Sequence, residues 1–385
     1  MKTRQLVLLR MVLIVAAVVL VAANAQRVLA DGFTQTNLVS DIPGLAATTD
    51  PNLVNPWGVS FGPTSPFWVS DNGTGLATIY QGDGTKLGLV VTVPSPDFGT
   101  SAPTGQVFNS SSSFNSDLFI FATEGGTITG WRGALGTTAE ILSDSSGSGA
   151  VYKGLAIGTT PNGTYIYATD FHNNLITVLP GLGAPALLGN FTDPNLPAGY
   201  APFNVQNIGG KLYVTYAVQD AAKHDDVAGP GNGIVDVFDL QGNFLQRLIS
   251  NGPLNSPWGM AIAPTGFGNF GGDLLVGNFG DGTINAFDPS TGKFLGQLDG
   301  TNGMPLINLG LWDLSFGNGA NKFSPDALYF TAGIPGDGNV EDHGLFGSVT
   351  STAVTTTPEP GTLMLISSGL LGLISFSRWR NKGIA

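Results

Sequence analysis

Asn55-Pro56-Trp57-Gly58-Val59-Ser60-Phe61 decides the fold because it recurs, first as Ser256-Pro257-Trp258-Gly259-Met260-Ala261-Ile262 and then as Gly310-Leu311-Trp312-Asp313-Leu314-Ser315-Phe316. Looser copies are Gly105-Gln106-Val107-Phe108, Tyr152-Lys153-Gly154-Leu155-Ala156-Ile157 and Pro202-Phe203-Asn204-Val205-Gln206. With Trp57, Val107, Gly154, Asn204, Trp258 and Trp312 as markers, the spacings are 50, 47, 50, 54 and 54 residues. A repeat of that period predicts stacked supersecondary units, each unable to bury its faces alone. A second apolar strand follows every marker, at 67–71, 118–122, 165–170, 212–216, 274–278 and 328–331. Turns bearing Gly or Asn then lead to third strands such as 127–131 and 283–288. Between residues 31 and 357 there is no amphipathic helical period of ordinary length.

These units predict an all-β chain, a six-bladed β-propeller of four-stranded antiparallel blades. The last unit has three strands of its own, ending at 345–349, and no fourth before the polar stretch 351–357. A spare strand at 33–39, Phe33-Thr34-Gln35-Thr36-Asn37-Leu38-Val39, can supply it and close the ring, pairing edges that would otherwise invite aggregation. A β-sandwich pair and a β-helix are the other architectures open to such a strand pattern, though a β-helix wants shorter rungs.

The marker-and-strand arrangement resembles NHL-type and SMP-30-type propellers. The span 32–350 is also similar to an uncharacterised bacterial propeller family, on the strength of Asn55-Pro56-Trp57-Gly58, Ser256-Pro257-Trp258-Gly259 and Asp281-Gly282-Thr283-Ile284. That resemblance implies a fold and brings no activity.

The two ends read as addresses. Lys2, Arg4 and Arg10 precede an apolar run from 11 to 23 and small-residue endings at Ala25 and Ala30, the order of a secretory signal peptide over 1–30. At the other end Pro358-Glu359-Pro360, an apolar run from 361 to 376, and Arg378, Arg380 and Lys382 follow the polar linker 351–357. This 358–382 arrangement resembles the PEP-CTERM sorting signal. The resemblance implies a transient inner-membrane stay as a transmembrane helix, processing by an exosortase-type enzyme, and display at the cell surface, in the extracellular matrix or in secreted form.

Between the ends, eight Lys or Arg stand against twenty-six Asp or Glu, a formal charge of −18. Nucleic acid is a poor partner for such a field. The chain has no cysteine, which excludes disulfides and thiolate metal sites and leaves packing or bound cations to stabilise an exported protein.

Radial blades would gather the ends of the second strands on one face, bringing together Asp71, Glu124, Asp170 and Asn278. Oxygen ligands of this kind suit Ca²⁺ or another hard divalent cation; equally, Asp and Asn favour turns after strands. Two irregular insertions hold further candidates: 220–232, with Asp220, His224, Asp225 and Asp226, and 336–343, with Asp337, Glu341, Asp342 and His343. No nucleophile elbow, phosphate loop or dinucleotide fingerprint is present, so no catalytic residue is assigned. Trp57, Trp258 and Trp312 read as packing residues at blade starts, or, if solvent-facing, as a carbohydrate platform. The sequence alone therefore favours a surface or matrix propeller binding polysaccharide or protein over an enzyme. The alternative is a divalent-metal-dependent hydrolase or lactonase of the SMP-30-like type.

Overall fold

The computed structural model describes residues 32–96 and 100–352. The expected signal peptide at 1–30 and the sorting residues Pro358, Glu359, Pro360, Arg378 and Arg380 lie outside them. Among the described residues there are six sheets, antiparallel apart from the short parallel pairing of Thr48–Thr49 with the end of Gly32–Ser40, and each innermost strand is one of the marker segments: Pro56–Ser60, Pro103–Phe108, Tyr152–Thr160, Tyr200–Ile208, Pro257–Ile262 and Leu311–Phe316. Successive innermost strands touch, and Leu311–Phe316 returns to Pro56–Ser60, so the sheets form a closed six-bladed propeller. The sixth blade is completed by Gly32–Ser40, which pairs antiparallel with Leu345–Thr352 from Gly32↔Thr352 to Ser40↔Leu345. The expected N-terminal closure is thus the observed one.

Not every blade has four strands. The third holds Tyr152–Thr160, Gly163–Asp170 and Leu175–Pro180 only. Beyond Pro180 come Gly181, Gly183, Pro185, Gly189, Pro194 and Pro197, a run that cannot sustain a paired edge. Its Phe191 instead packs against Tyr167 and Phe238 of two neighbouring blades.

Why the marker repeats becomes clear at the axis. Side chains of Trp57, Trp258 and Trp312 are almost wholly buried together, the rings of Trp57 and Trp312 stacked at 3.4 Å and Trp258 set edge-on to both at 6.0 and 5.8 Å. They are packing residues, and their burial removes the carbohydrate-platform reading. Gly58 and Gly259, which follow Trp57 and Trp258, and Gly105 of the second blade sit where strands crowd: a Cβ on Gly259 would stand 2.4 Å from the Trp312 carbonyl, and one on Gly105 2.3 Å from the Leu155 nitrogen. Only glycine fits such an approach. Polar side chains lace the seams between blades. Thr104 donates to the Tyr152 carbonyl at 2.8 Å, Thr169 to Phe203 at 3.2 Å, Asn204 to Trp258 at 2.9 Å, and Thr331 to Trp57. Each satisfies a carbonyl that the sheet ladder leaves over in a buried position.

Among the described residues no helix is long and apolar enough to cross a membrane. The expected transmembrane helix is therefore corrected: none is found, and the run 361–376 to which it was assigned lies outside the described residues.

Candidate metal centre

All six innermost strands start at the same end of the channel, where Asn55 and Ser256 precede the two Pro-Trp-Gly runs. In the column occupied by Trp57, Phe203, Trp258 and Trp312 in other blades, the third blade carries Lys153. Its side chain is buried, and its ammonium stands 5.2 Å above the Trp57 ring, within cation–π range. The ammonium donates to Glu124 Oε1 and, at 3.1 Å, to Asp225 Oδ1. Burial works against the charged lysine, but Glu124 and Asp225 outweigh it, and the net effect raises the Lys153 pKa. Asp225 shows the converse balance: despite desolvation, Lys153 and His224 hold its carboxyl below the usual range.

Three loops meet at this mouth. Glu124 closes the turn after Phe119–Thr123. His224 and Asp225 come from the insertion between Lys211–Val218 and Ile234–Asp239, with His224 Nδ1 2.9 Å from Asp225 Oδ1. Asp220 shapes that insertion by accepting the His224 backbone N–H at 2.9 Å. Glu341 arrives from the other insertion and accepts from Asn55 Nδ2 at 2.9 Å; burial pushes its carboxyl up to about 7 against that bond. Asn55 also donates to Asn72 Oδ1 at 3.3 Å, and Asn72 donates to Glu124 Oε2 at 3.0 Å. The Trp312 indole N–H bonds Asn55 Oδ1 at 3.0 Å, tying the network to the aromatic plug. To hold this place Asn55 adopts a left-handed φ of 46°, as Ser256 does at 47°, although both precede proline. Asparagine visits that region more readily than serine, but a following proline restricts both positions, and strain of this sort collects at ligand-binding positions.

Among the described residues, Glu124, His224 and Asp225 form a group whose ligand atoms all lie within 4.8 Å of one another. Two carboxylates and an imidazole on mobile-length side chains can hold a divalent cation, matching the expected Ca²⁺ or other divalent ion. The single ammonium of Lys153 opposes such an ion less strongly than two carboxylates attract it.

Of the four residues expected to converge, only Glu124 belongs to this group. Asp170 serves its own turn, accepting from Asn173 Nδ2 at 2.9 Å and Asn173 N at 3.1 Å. Asn278 donates to the Pro253 carbonyl at 2.7 Å and accepts the Asn255 N–H at 3.1 Å. Asp71 is fully buried inside the first blade, and desolvation pushes its carboxyl well above the usual range. Lys153 was not read as a site residue. Its signal was a charge standing in an otherwise aromatic and polar-neutral column.

An uncharacterized protein of Acanthamoeba polyphaga mimivirus is 34% identical over 330 residues, covering 81% of this chain and 78% of that protein. A second uncharacterized mimivirus protein is 34% identical over 295 residues, covering 72% and 77%. The chain belongs to the family of these uncharacterized viral proteins. A model of the PEP-CTERM protein-sorting motif matches residues 356–380, which implies an exosortase-type sorting system. A Bacteroides thetaiotaomicron structure of unknown function aligns with a TM-score of 0.50 at 11% identity, covering 84% of this chain and 76% of that one, a likeness of fold alone.

The cation-capable group also corrects the preference for a non-enzymatic binder: three ligand side chains, a buried lysine and a carboxyl raised to about 7 converge at one channel mouth. Perturbed groups assembled in a cleft are what acid–base and electrophilic chemistry requires.

Proposed function

We propose that the chain is an exported, divalent-metal-dependent hydrolase that opens an ester or lactone at the channel mouth. The observation that carries this reading is the Glu124–His224–Asp225 group beside Lys153. A bound divalent ion supplies Lewis-acid polarisation of a carbonyl. Lys153 provides a fixed positive charge where negative charge develops on oxygen, held in place by Glu124, Asp225 and the Trp57 ring. Glu341, with its pKa raised to about 7, is suited to take a proton from water near neutrality. Export rests on the sorting motif and the signal-like N-terminus, and the narrower assignment to the uncharacterised bacterial propeller family rests on the two Pro-Trp-Gly repeats. Asp170 and Asn278 stay outside this centre as supports of their own turns, and Asp71 stays buried within the first blade.

The test is a panel of γ- and δ-lactones and aryl esters offered to the full-length protein with Ca²⁺, Mn²⁺ or Zn²⁺. Turnover that EDTA abolishes and that Asp225→Asn removes supports the reading. A protein shown to hold the ion yet inert across the panel overturns it.

A further inference from the structure

Residues 181–199, the run that stands in place of a fourth strand in the third blade, form a strap over the seam with the fourth. Their glycines and prolines leave little ladder, and only Gly181, Phe191 and Asp193 among them are buried. The Gly189 and Phe191 N–H groups donate to the Gln241 and Gly242 carbonyls at 3.1 and 3.0 Å, and the Tyr165 hydroxyl donates to the Pro185 carbonyl at 2.9 Å. Phe191 takes its seat with a left-handed φ of 52°, which an L side chain adopts at a cost. Beneath the strap is a cavity of about 240 Å³, lined by Phe191, Asp193 and Leu196 on one side and Ile176, Pro202 and Tyr216 on the other. A strained segment with few backbone bonds over incomplete packing opens more readily than the blades it covers.

Asp193 is the only charged residue of the strap. Its carboxylate accepts from Arg247 Nε at 2.9 Å and from Arg247 Nη2. Yet the register of the fourth blade sets Arg247 directly opposite another carboxylate, Asp236. Alternation along Ile234–Asp239 puts Asp236 between Ile234 and Phe238, on the face where Phe191 and Tyr216 pack. There it is fully buried, neither oxygen has a hydrogen-bond partner, and Arg247 Nε stands 3.7 Å from its Oδ1. Two carboxylates thus compete for one guanidinium, and the strap's carboxylate holds it. From Lys211–Val218 the group facing Asp236 is Tyr216, whose hydroxyl burial keeps protonated. The third blade presents Tyr165 and Tyr167 to the same cluster, committed to the Pro185 and Leu240 carbonyls. Burial and Asp193 push the Asp236 carboxyl up to about 8 against the pull of Arg247.

We propose that Arg247 is a two-position latch: while Asp236 keeps its proton the guanidinium holds Asp193 and the strap closed, and when Asp236 ionises the guanidinium passes to it and the strap lifts. The sign follows from linkage. Lifting the strap lets water and Arg247 reach Asp236, so the open form loses its proton more readily than the closed form. Opening is therefore favoured as pH rises, by up to tenfold per pH unit between the ordinary 3.8 and about 8. The device shares no residue with Glu124, His224 or Asp225 and stands whether or not the channel mouth is catalytic.

The experiment is hydrogen–deuterium exchange of the full-length protein and of Asp236→Asn, read by mass spectrometry from pH 5 to pH 8. Taking the ratio of the two proteins cancels the intrinsic pH dependence of exchange. For peptides within 184–199 the ratio should rise by up to tenfold per pH unit, while peptides from 211–218 keep a constant ratio. Asp193→Asn removes the competing carboxylate and should speed strap exchange about tenfold at pH 5, the scale of one charge-assisted hydrogen bond; it carries the test should Asp236→Asn fail to fold. A flat ratio for the strap, a rise shared equally by 211–218, or strap exchange in Asp193→Asn no faster than in the unaltered protein at pH 5 overturns the proposal.

Discussion

The two ends of one channel are built from the same six strands and differ in almost every chemical respect. At the end where the strands begin, two long insertions bring His224, Asp225 and Glu341, and a short turn brings Glu124, to a buried lysine. Where the strands finish, two of the hairpins, 160–163 and 208–211, are short, and a cavity there is lined by apolar side chains and amides with one carboxylate and no cation. The contrast shows where variation is tolerated. Insertions between second and third strands do not disturb the axial packing, so charge accumulates there, while the two-residue turns at 161–162 and 209–210 are neutral. The tryptophan plug lets the two regions hold opposite chemistries a few side chains apart.

Breaking the plug should merge the two regions and have the largest effect. Trp312→Ala removes the ring stacked on Trp57 and Phe279 and the donor to Asn55. It should cost about 3–5 kcal/mol in unfolding free energy, read by denaturant titration. An unchanged midpoint would mean that the two ends are not separated by this packing.

Next in size is Lys153→Met. Removing one partner of a buried pair leaves carboxylates uncompensated and should destabilise by about 3 kcal/mol. The contrast sharpens if a divalent cation recovers part of that loss in the variant, since the ion would then take up the charge-balancing role of the lysine. Stability that does not respond to any divalent ion counts against a cation at this mouth.

His224→Ala and Asp225→Asn should each weaken cation binding by about tenfold or more, at about 1.4 kcal/mol per decade, measured by calorimetric titration. Asp170→Asn and Asn278→Ala should leave that affinity unchanged while lowering stability modestly through their turns.

How much of this was legible follows from the physics of each part. The ring and its closure could be read because packing recurs: Trp57, Trp258 and Trp312 occupy equivalent places, and the unpaired strand at 33–39 had one vacancy to fill. The third blade departed from four strands because Gly and Pro after Pro180 override the repeat. For the centre, periodicity could place Glu124 at the end of a second strand but could not say which insertion folds over it. Two groups that looked separate, the strand-end acids and the 220–232 insertion, contribute to one cluster through Glu124, His224 and Asp225. Asp71, Asp170 and Asn278 pair with Pro56, Tyr152 and Pro257, the place that Thr123 takes opposite Pro103, so Glu124 stands one residue beyond their register. Strand alternation thus separates Glu124 from the other three, whereas the direction of the 220–232 insertion is set by tertiary contacts such as the Asp220 bond to the His224 backbone.

The two ends also separate by pH. Burial pushes the Asp313 carboxyl up to about 7 from 3.8. A carboxyl whose folded pKa is raised binds its proton more tightly in the native state, so stability falls as pH rises from about 4 to about 7. Asp313→Asn should flatten that limb of the stability–pH curve. The equivalent residue of the fourth blade, Asn204, already fills this place without a charge. A curve that keeps its slope in the variant would assign the effect to Asp71 or to Asp236, which burial pushes up to about 8.

The most direct measurement of the central claim is anomalous diffraction from crystals of the protein soaked in Mn²⁺. The account predicts one peak at the channel mouth, roughly 2.0–2.6 Å from ligand atoms of Glu124, His224 and Asp225, with Lys153 displaced or sharing the carboxylates. A mouth without a peak, or a peak held instead by Asp71, Asp170 or Asn278, would contradict it.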